Sequence, residues 1–172
     1  MRVTSDDILY KLPAFRDQWV VVNEDQYVSD IISEMMYMHR ACEGYYDLFS
    51  YEFCTSDPDR IATKLYRFCR DNIEYKVETI KKQTTAVPQG ILTRGYGDCK
   101  HYALINAGIL SSLNRMYGYN FDWCYYFAGY DGATEPYHVF VAVYDYDADE
   151  EIWIDPTPGS GGTPSVLVGK KP

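Results

Sequence analysis

The sequence has no apolar run approaching the roughly 20 residues that a membrane-spanning helix needs. It has no basic excess either: 16 Lys and Arg face 25 Asp and Glu, a formal net charge of −9. Nucleic-acid binding draws most of its non-specific affinity from neutralised phosphates, and an anionic membrane surface asks for the same positive charge. The charge balance therefore predicts neither partner. No Cys/His set stands at zinc-ligand spacing, because Cys99-Lys100-His101 has no second pair to complete it. No GxGxxG or P-loop glycine pattern is present. The expectation is a chain with no metal, no cofactor and no internal repeat. The opening residues, Met1-Arg2-Val3-Thr4-Ser5-Asp6-Asp7, lack the charged-then-apolar layout of an export signal. The chain is therefore expected in the cytoplasm. Its five cysteines, Cys42, Cys54, Cys69, Cys99 and Cys124, are expected to be thiols, not a disulfide framework.

What is there is a globular composition. The chain has 172 residues, 47% hydrophobic and 24% charged, enough for one domain with a sizeable core. Tyrosine is heavy, at 18 residues. Half-buried strands and core edges explain that best, since the ring packs while the hydroxyl reaches water; a tyrosine-rich groove is the alternative.

Along the chain, Asn23-Glu24-Asp25-Gln26 has the form of a helix start, with Asn23 as cap and Gln26 closing a capping box. Val28, Ile31, Ile32, Met35, His39 and Cys42 follow at helical spacing, as core filling. Asp57-Pro58 opens a second helix with Ile61, Leu65, Phe68 and Cys69 as its apolar stripe. Glu74 to Gly90 is polar and irregular and is expected as loop or extended chain. Gly95-Tyr96-Gly97-Asp98-Cys99 then turns the backbone into a helix running to about Tyr117, with Asp98 as N-cap. That helix is apolar over much of its circumference, as a central buried one would be. After Gly118 the period becomes two. Phe121, Trp123, Tyr125 and Phe127 mark one strand, Tyr137 to Asp145 a second, and Glu151 to Asp155 a third. Residues 161–172 are expected to form a flexible tail. Helices followed by an antiparallel sheet predict an α+β layer fold.

Three positions carry chemistry when taken together. Cys99 follows the expected cap of the central helix, where unpaired N–H groups and the helix dipole favour negative charge. The other four cysteines lie on apolar stripes, in a strand or in a loop. His101 cannot serve Cys99 as base, because residues two apart on a helix face different ways. His138 begins a strand. Asp155 is as far from the midpoint of the Tyr146–Asp147 turn as His138 is, so an unbulged hairpin sets them opposite each other. There Asp155 can orient the imidazole toward Cys99. An oxyanion needs donors. The Cys99 backbone N–H is one candidate, and a side-chain amide, Gln83 or Gln89, is the other.

Gly97-Asp98-Cys99, the alanine-rich helix, Tyr137-His138-Val139-Phe140-Val141 and Trp153-Ile154-Asp155-Pro156-Thr157 come in an order that resembles the transglutaminase-like superfamily. The resemblance covers residues 58 to 158. It is nearest to the small bacterial and phage-type transglutaminase-like cysteine proteases, to which Asn72-Ile73-Glu74-Tyr75, Gln83-Thr84 and Pro88 add further likeness. It implies a papain-like α+β core and a Cys99–His138–Asp155 triad, with Gln83 preferred over Gln89 at the oxyanion. Lys100-His101 departs from the acidic pair that follows the cysteine in many relatives. Residues 1–57 are expected as a helical layer packed on a 58–160 catalytic core. The expected activity is acyl transfer from a peptide or protein amide, as a peptidase or amidase. Protein-glutamine transamidation, an idle peptide-binding module, or a structural protein of a phage or mobile-element particle are the alternatives.

Overall fold

The computed structural model describes residues 2–14, 19–22, 27–79, 81–159 and 164–172, with the backbone alone described for 19–22. Helices and an antiparallel four-stranded sheet make it a mixed α+β structure. Its centre is α6 (Cys99–Tyr117). Asp98 is the N-cap, and Gly118 ends the helix in the left-handed region that glycine enters without penalty. Every residue from Lys100 to Leu110 is buried, so this helix is covered on all sides.

The sheet covers one side. It contains β5 (Asp122–Gly129), β6 (His138–Asp145), β7 (Glu150–Ile154) and β8 (Ser165–Lys170), ordered β7-β6-β5-β8 with every pairing antiparallel. Trp123, Tyr125 and Phe127 on β5 and Val139, Val141 and Val143 on β6 bury their rings and branches in the core, which is the alternation the sequence predicts. On the other sides α6 meets α2 (Val28–Ala41), α3 (Glu43–Asp47), a 3-10 turn (Ser50–Phe53) and α4 (Pro58–Asn72). In α4, Pro58 occupies the first turn and Asp57 accepts the Asp59 N–H at 3.0 Å. Ile61, Leu65, Phe68 and Cys69 face inward as expected.

Four expectations are corrected or displaced. The proposed cap at Asn23 and Gln26 lies outside the described residues; α2 begins at Val28, with the Tyr27 N–H donating to the Asp30 carboxylate. The N-terminal layer is not wholly helical. Besides α1 (Ser5–Leu9) it holds β1 (Trp19–Val22), which pairs antiparallel with β3 (Gln83–Ala86). The run Val20-Val21-Val22 is β-branched, and crowded χ1 angles favour extended chain. The 74–90 stretch, expected as loop or extended chain, is extended in part but also starts a helix. Besides β3 it contains β2 (Glu74–Tyr75), parallel to β4 (Tyr96–Gly97), and the start of α5 (Pro88–Arg94). Pro88 at the first helical position and Gly95 at φ 70° frame α5, a short helix whose period is too brief to stand out. Finally, the predicted tail contains an edge strand. In β8 the Val166-Leu167-Val168 run pairs with β5, which has an unpaired edge to offer. Among the described residues, no helix is long and apolar enough to cross a membrane.

Candidate active site

Cys99 opens α6, so its backbone N–H is among those that a helix leaves without an internal partner. Two glycines shape the approach for different reasons. Gly95 takes the positive φ that ends α5, whereas Gly97 is needed for closeness: a Cβ there would stand 2.8 Å from Cβ of His101. The sulfur side chain is half-buried and lines a cavity of about 310 Å³ together with His138, Tyr75 and Gln83.

His138 is the first residue of β6, paired with Ala128 of β5. Its ring lies between those of Tyr130 and Phe140, at centroid distances of 5.8 and 5.7 Å. Nε2 sits 2.7 Å from Oδ2 of Asp155. The hairpin that brings them together is not in the expected register. Val141 pairs with Ile154 and Asp145 with Glu150, a shift of two residues from the symmetric turn. Asp155 consequently lies diagonal to His138 and not opposite it. A shift of two keeps both side chains on the same face of the pleat, so the contact survives where a shift of one would have lost it. Asp155 also serves the turn that its position before Pro156 suggests: Oδ1 accepts the Thr157 N–H at 3.2 Å. The structural and the chemical roles use different oxygens of one carboxylate.

Burial disfavours a charged imidazole at His138. The Asp155 hydrogen bond and the side-chain interaction with Cys99 outweigh it and lift the ring to about 9. With Nε2 committed to Asp155, Nδ1 is the nitrogen left for the sulfur.

Gln83 lines the cavity, but its amide nitrogen donates to the carbonyl oxygens of Thr79 (3.0 Å) and Glu78 (3.5 Å). An oxyanion role requires that side chain to turn. Gln89 is buried on α5 and is not among the residues lining the cavity.

Beside Cys99 lies a buried ionic cluster with no signal in the sequence. Lys100 is buried, 3% exposed, and its ammonium meets both Asp98 and Glu78, the latter at 2.8 Å. Glu78 also accepts from the backbone and hydroxyl of Thr84 and lies 3.8 Å from Arg94. His101 is fully buried, with Nδ1 2.8 Å from Oδ1 of Asp98. Burial pushes His101 downward, toward the neutral ring, and Nδ1 also accepts the Asp98 N–H at 3.2 Å. Burial would raise Asp98, but the His101 bond and the Lys100 charge hold it well below the usual carboxylate range. Lys100-His101, the departure from the acidic pair, thus clamps the first turn of α6 from inside. A Lys and a His at the second and third positions of a helix gave no sign of burial, because each alone is an ordinary exposed residue. Tyr75 was likewise one tyrosine among many. It lines the cavity, and burial followed by the nearby Cys99 raises its hydroxyl.

Among the described residues, no group of three or more His, Cys, Asp or Glu side chains is arranged to hold a metal ion. The chain shows no significant match to any protein-family model, curated protein or solved structure.

Proposed function

We propose that this chain is a cysteine-nucleophile acyl-transfer enzyme, a peptidase or amidase acting on a peptide or protein amide. The observation that carries the reading is the 2.7 Å bond from His138 Nε2 to Asp155, on a ring that also interacts with Cys99 at the N-terminus of a helix. This is the division of labour that makes a thiol useful: a carboxylate orients an imidazole, and the imidazole manages the proton. A central helix with the nucleophile at its head, packed on an antiparallel sheet that carries His and Asp, supports the papain-like, transglutaminase-like layout that the sequence resembles.

In the proposed mechanism His138 takes the Cys99 proton at Nδ1 and the sulfur attacks the amide carbonyl. The Cys99 N–H donates to the developing oxyanion, joined by Gln83 after it turns. The imidazolium then protonates the leaving amine, the C–N bond breaks, and a thioester to Cys99 remains. Water, deprotonated by His138, releases the acid and frees the sulfur. An amine in place of water gives transamidation at the same site.

The test is selective chemistry at one sulfur. Iodoacetamide near neutral pH is expected to alkylate Cys99 faster than half-buried Cys54, with the advantage lost in His138→Ala, as read by peptide mapping. Cleavage of a peptide-amide library is expected in the wild type and absent in Cys99→Ala. Labelling of Cys99 no faster than Cys54, or cleavage that survives Cys99→Ala, would overturn the proposal.

A further inference from the structure

The cavity at Cys99 has a wall that comes from outside the stretch resembling the transglutaminase-like proteins. Val28, Ile31, Ile32 and Met35 of α2 line it. Their spacing of three and four residues sets them on one helix face. The stripe that the sequence predicts as core filling therefore divides. Its C-terminal half, with His39 and Cys42, is buried in the core. Its N-terminal half leaves Val28, Ile31 and Ile32 only half-buried, facing the sulfur's cavity, with fully buried Met35 closing it behind. Phe127 and Val139 extend the apolar lining from the sheet.

The charged groups of the same cavity are already engaged. Glu78 and Asp98 both hold Lys100, Asp98 also holds His101, and Glu78 also holds Thr84. A charged ligand group would have to break pairs that are themselves buried, at the desolvation cost of whatever it left alone. An apolar group displaces only water from the α2 face. About 310 Å³ lies at the low end of ligand-pocket sizes, suited to a side chain and not to a large cofactor.

We infer that the N-terminal half of α2 forms a specificity pocket, and that the substrate carries an uncharged aliphatic or aromatic side chain beside the amide that Cys99 attacks. The inference rests on the proposed function and names its substrate class.

The experiment compares alkylation of Cys99 by N-hexyl-iodoacetamide and N-(2-hydroxyethyl)-iodoacetamide, each rate divided by that of the same reagent with glutathione. The ratio of hexyl to hydroxyethyl cancels any general change in the reactivity of the sulfur. In the wild type it is expected to exceed unity by about 10- to 100-fold. It is expected to fall toward unity in Ile31→Thr/Ile32→Thr and, with side-chain shape kept, to fall partway in Val28→Thr. A wild-type ratio near unity at a Cys99 that still labels faster than Cys54 overturns the pocket and leaves the proposed function standing. A high ratio that neither variant lowers also overturns it, since recognition then lies elsewhere. Labelling of Cys99 no faster than Cys54 removes the proposed function and this inference together.

Discussion

Burial and hydrogen bonding pull the His138 ring in opposite directions, and the ring ends at about 9 because Asp155 and Cys99 outweigh the loss of solvent. The sign has two consequences. The folded value lies above the ordinary 6.5, so this group adds stability below pH 6.5 that is lost as pH rises through about 9. Proton delivery to a leaving amine also needs the imidazolium, so hydrolysis should fall over the same alkaline range. Asp155→Asn replaces an anionic acceptor with a neutral amide. The alkaline limb of the pH–rate profile is then expected to move down by roughly 1–3 pH units. A limb that stays in place would show that Asp155 does not hold the charge on His138. The residue types were legible, since a thiol, an imidazole and a carboxylate each bring chemistry that few other residues supply. The two-residue register shift was not, because it depends on how Tyr146 to Asp149 turn, and any even shift keeps the same inward face.

Among the elements, α6 shows how a single atom's absence can position a helix. Gly108 sits in its middle, where glycine costs about 1 kcal/mol relative to alanine. A Cβ there would stand 2.3 Å from ring carbons of Tyr46, which is 1% exposed and packs at a tilt against Phe49, ring centroids 5.8 Å apart. Two effects therefore compete in Gly108→Ala. The gain in helix propensity is about 1 kcal/mol, and overpacking a rigid core costs about 1–3 kcal/mol. The ring is fully buried, so packing should win, and urea denaturation should show a net loss of up to about 2 kcal/mol. A stabilised variant would mean that Tyr46 yields. Long periodic elements such as α4 and α6 were plain in the sequence, caps included. The short ones, α5, β2 and β4, were not, because two to seven residues cannot establish a period. β8 was hidden for another reason: a glycine-rich approach and small size suggest a tail unless the waiting edge of β5 is known.

For the molecule as a whole, the N-terminal helices and the sheet meet at His39. Its ring stacks on Trp123 at 5.4 Å, and Nδ1 lies 2.8 Å from the Tyr125 hydroxyl. Burial, then the Arg115 and Arg40 charges, push it down to about 4. The unfolded chain takes this proton near 6.5 and the folded one only near 4, so stability should fall as pH drops from 6.5 to 4 and level off below. The full effect is about 3 kcal/mol. Thermal melts at pH 7 and pH 4.5 should differ more for the wild type than for His39→Gln; equal differences would show that this joint is not the sensitive one. The same α2 carries the apolar wall beside Cys99, so loosening the joint should open the pocket as well. By itself the sequence determined which residues are hydrophobic at helical or strand spacing, where α4 and α6 begin, and which side chains have acid, base and nucleophile chemistry, because these are properties of a residue and its near neighbours. Only the tertiary structure decided that Lys100 and His101 are buried, that half of the α2 stripe faces a cavity, and that Asp155 reaches His138 on the diagonal. Burial and contact are set by which distant segments arrive, and no local pattern encodes that.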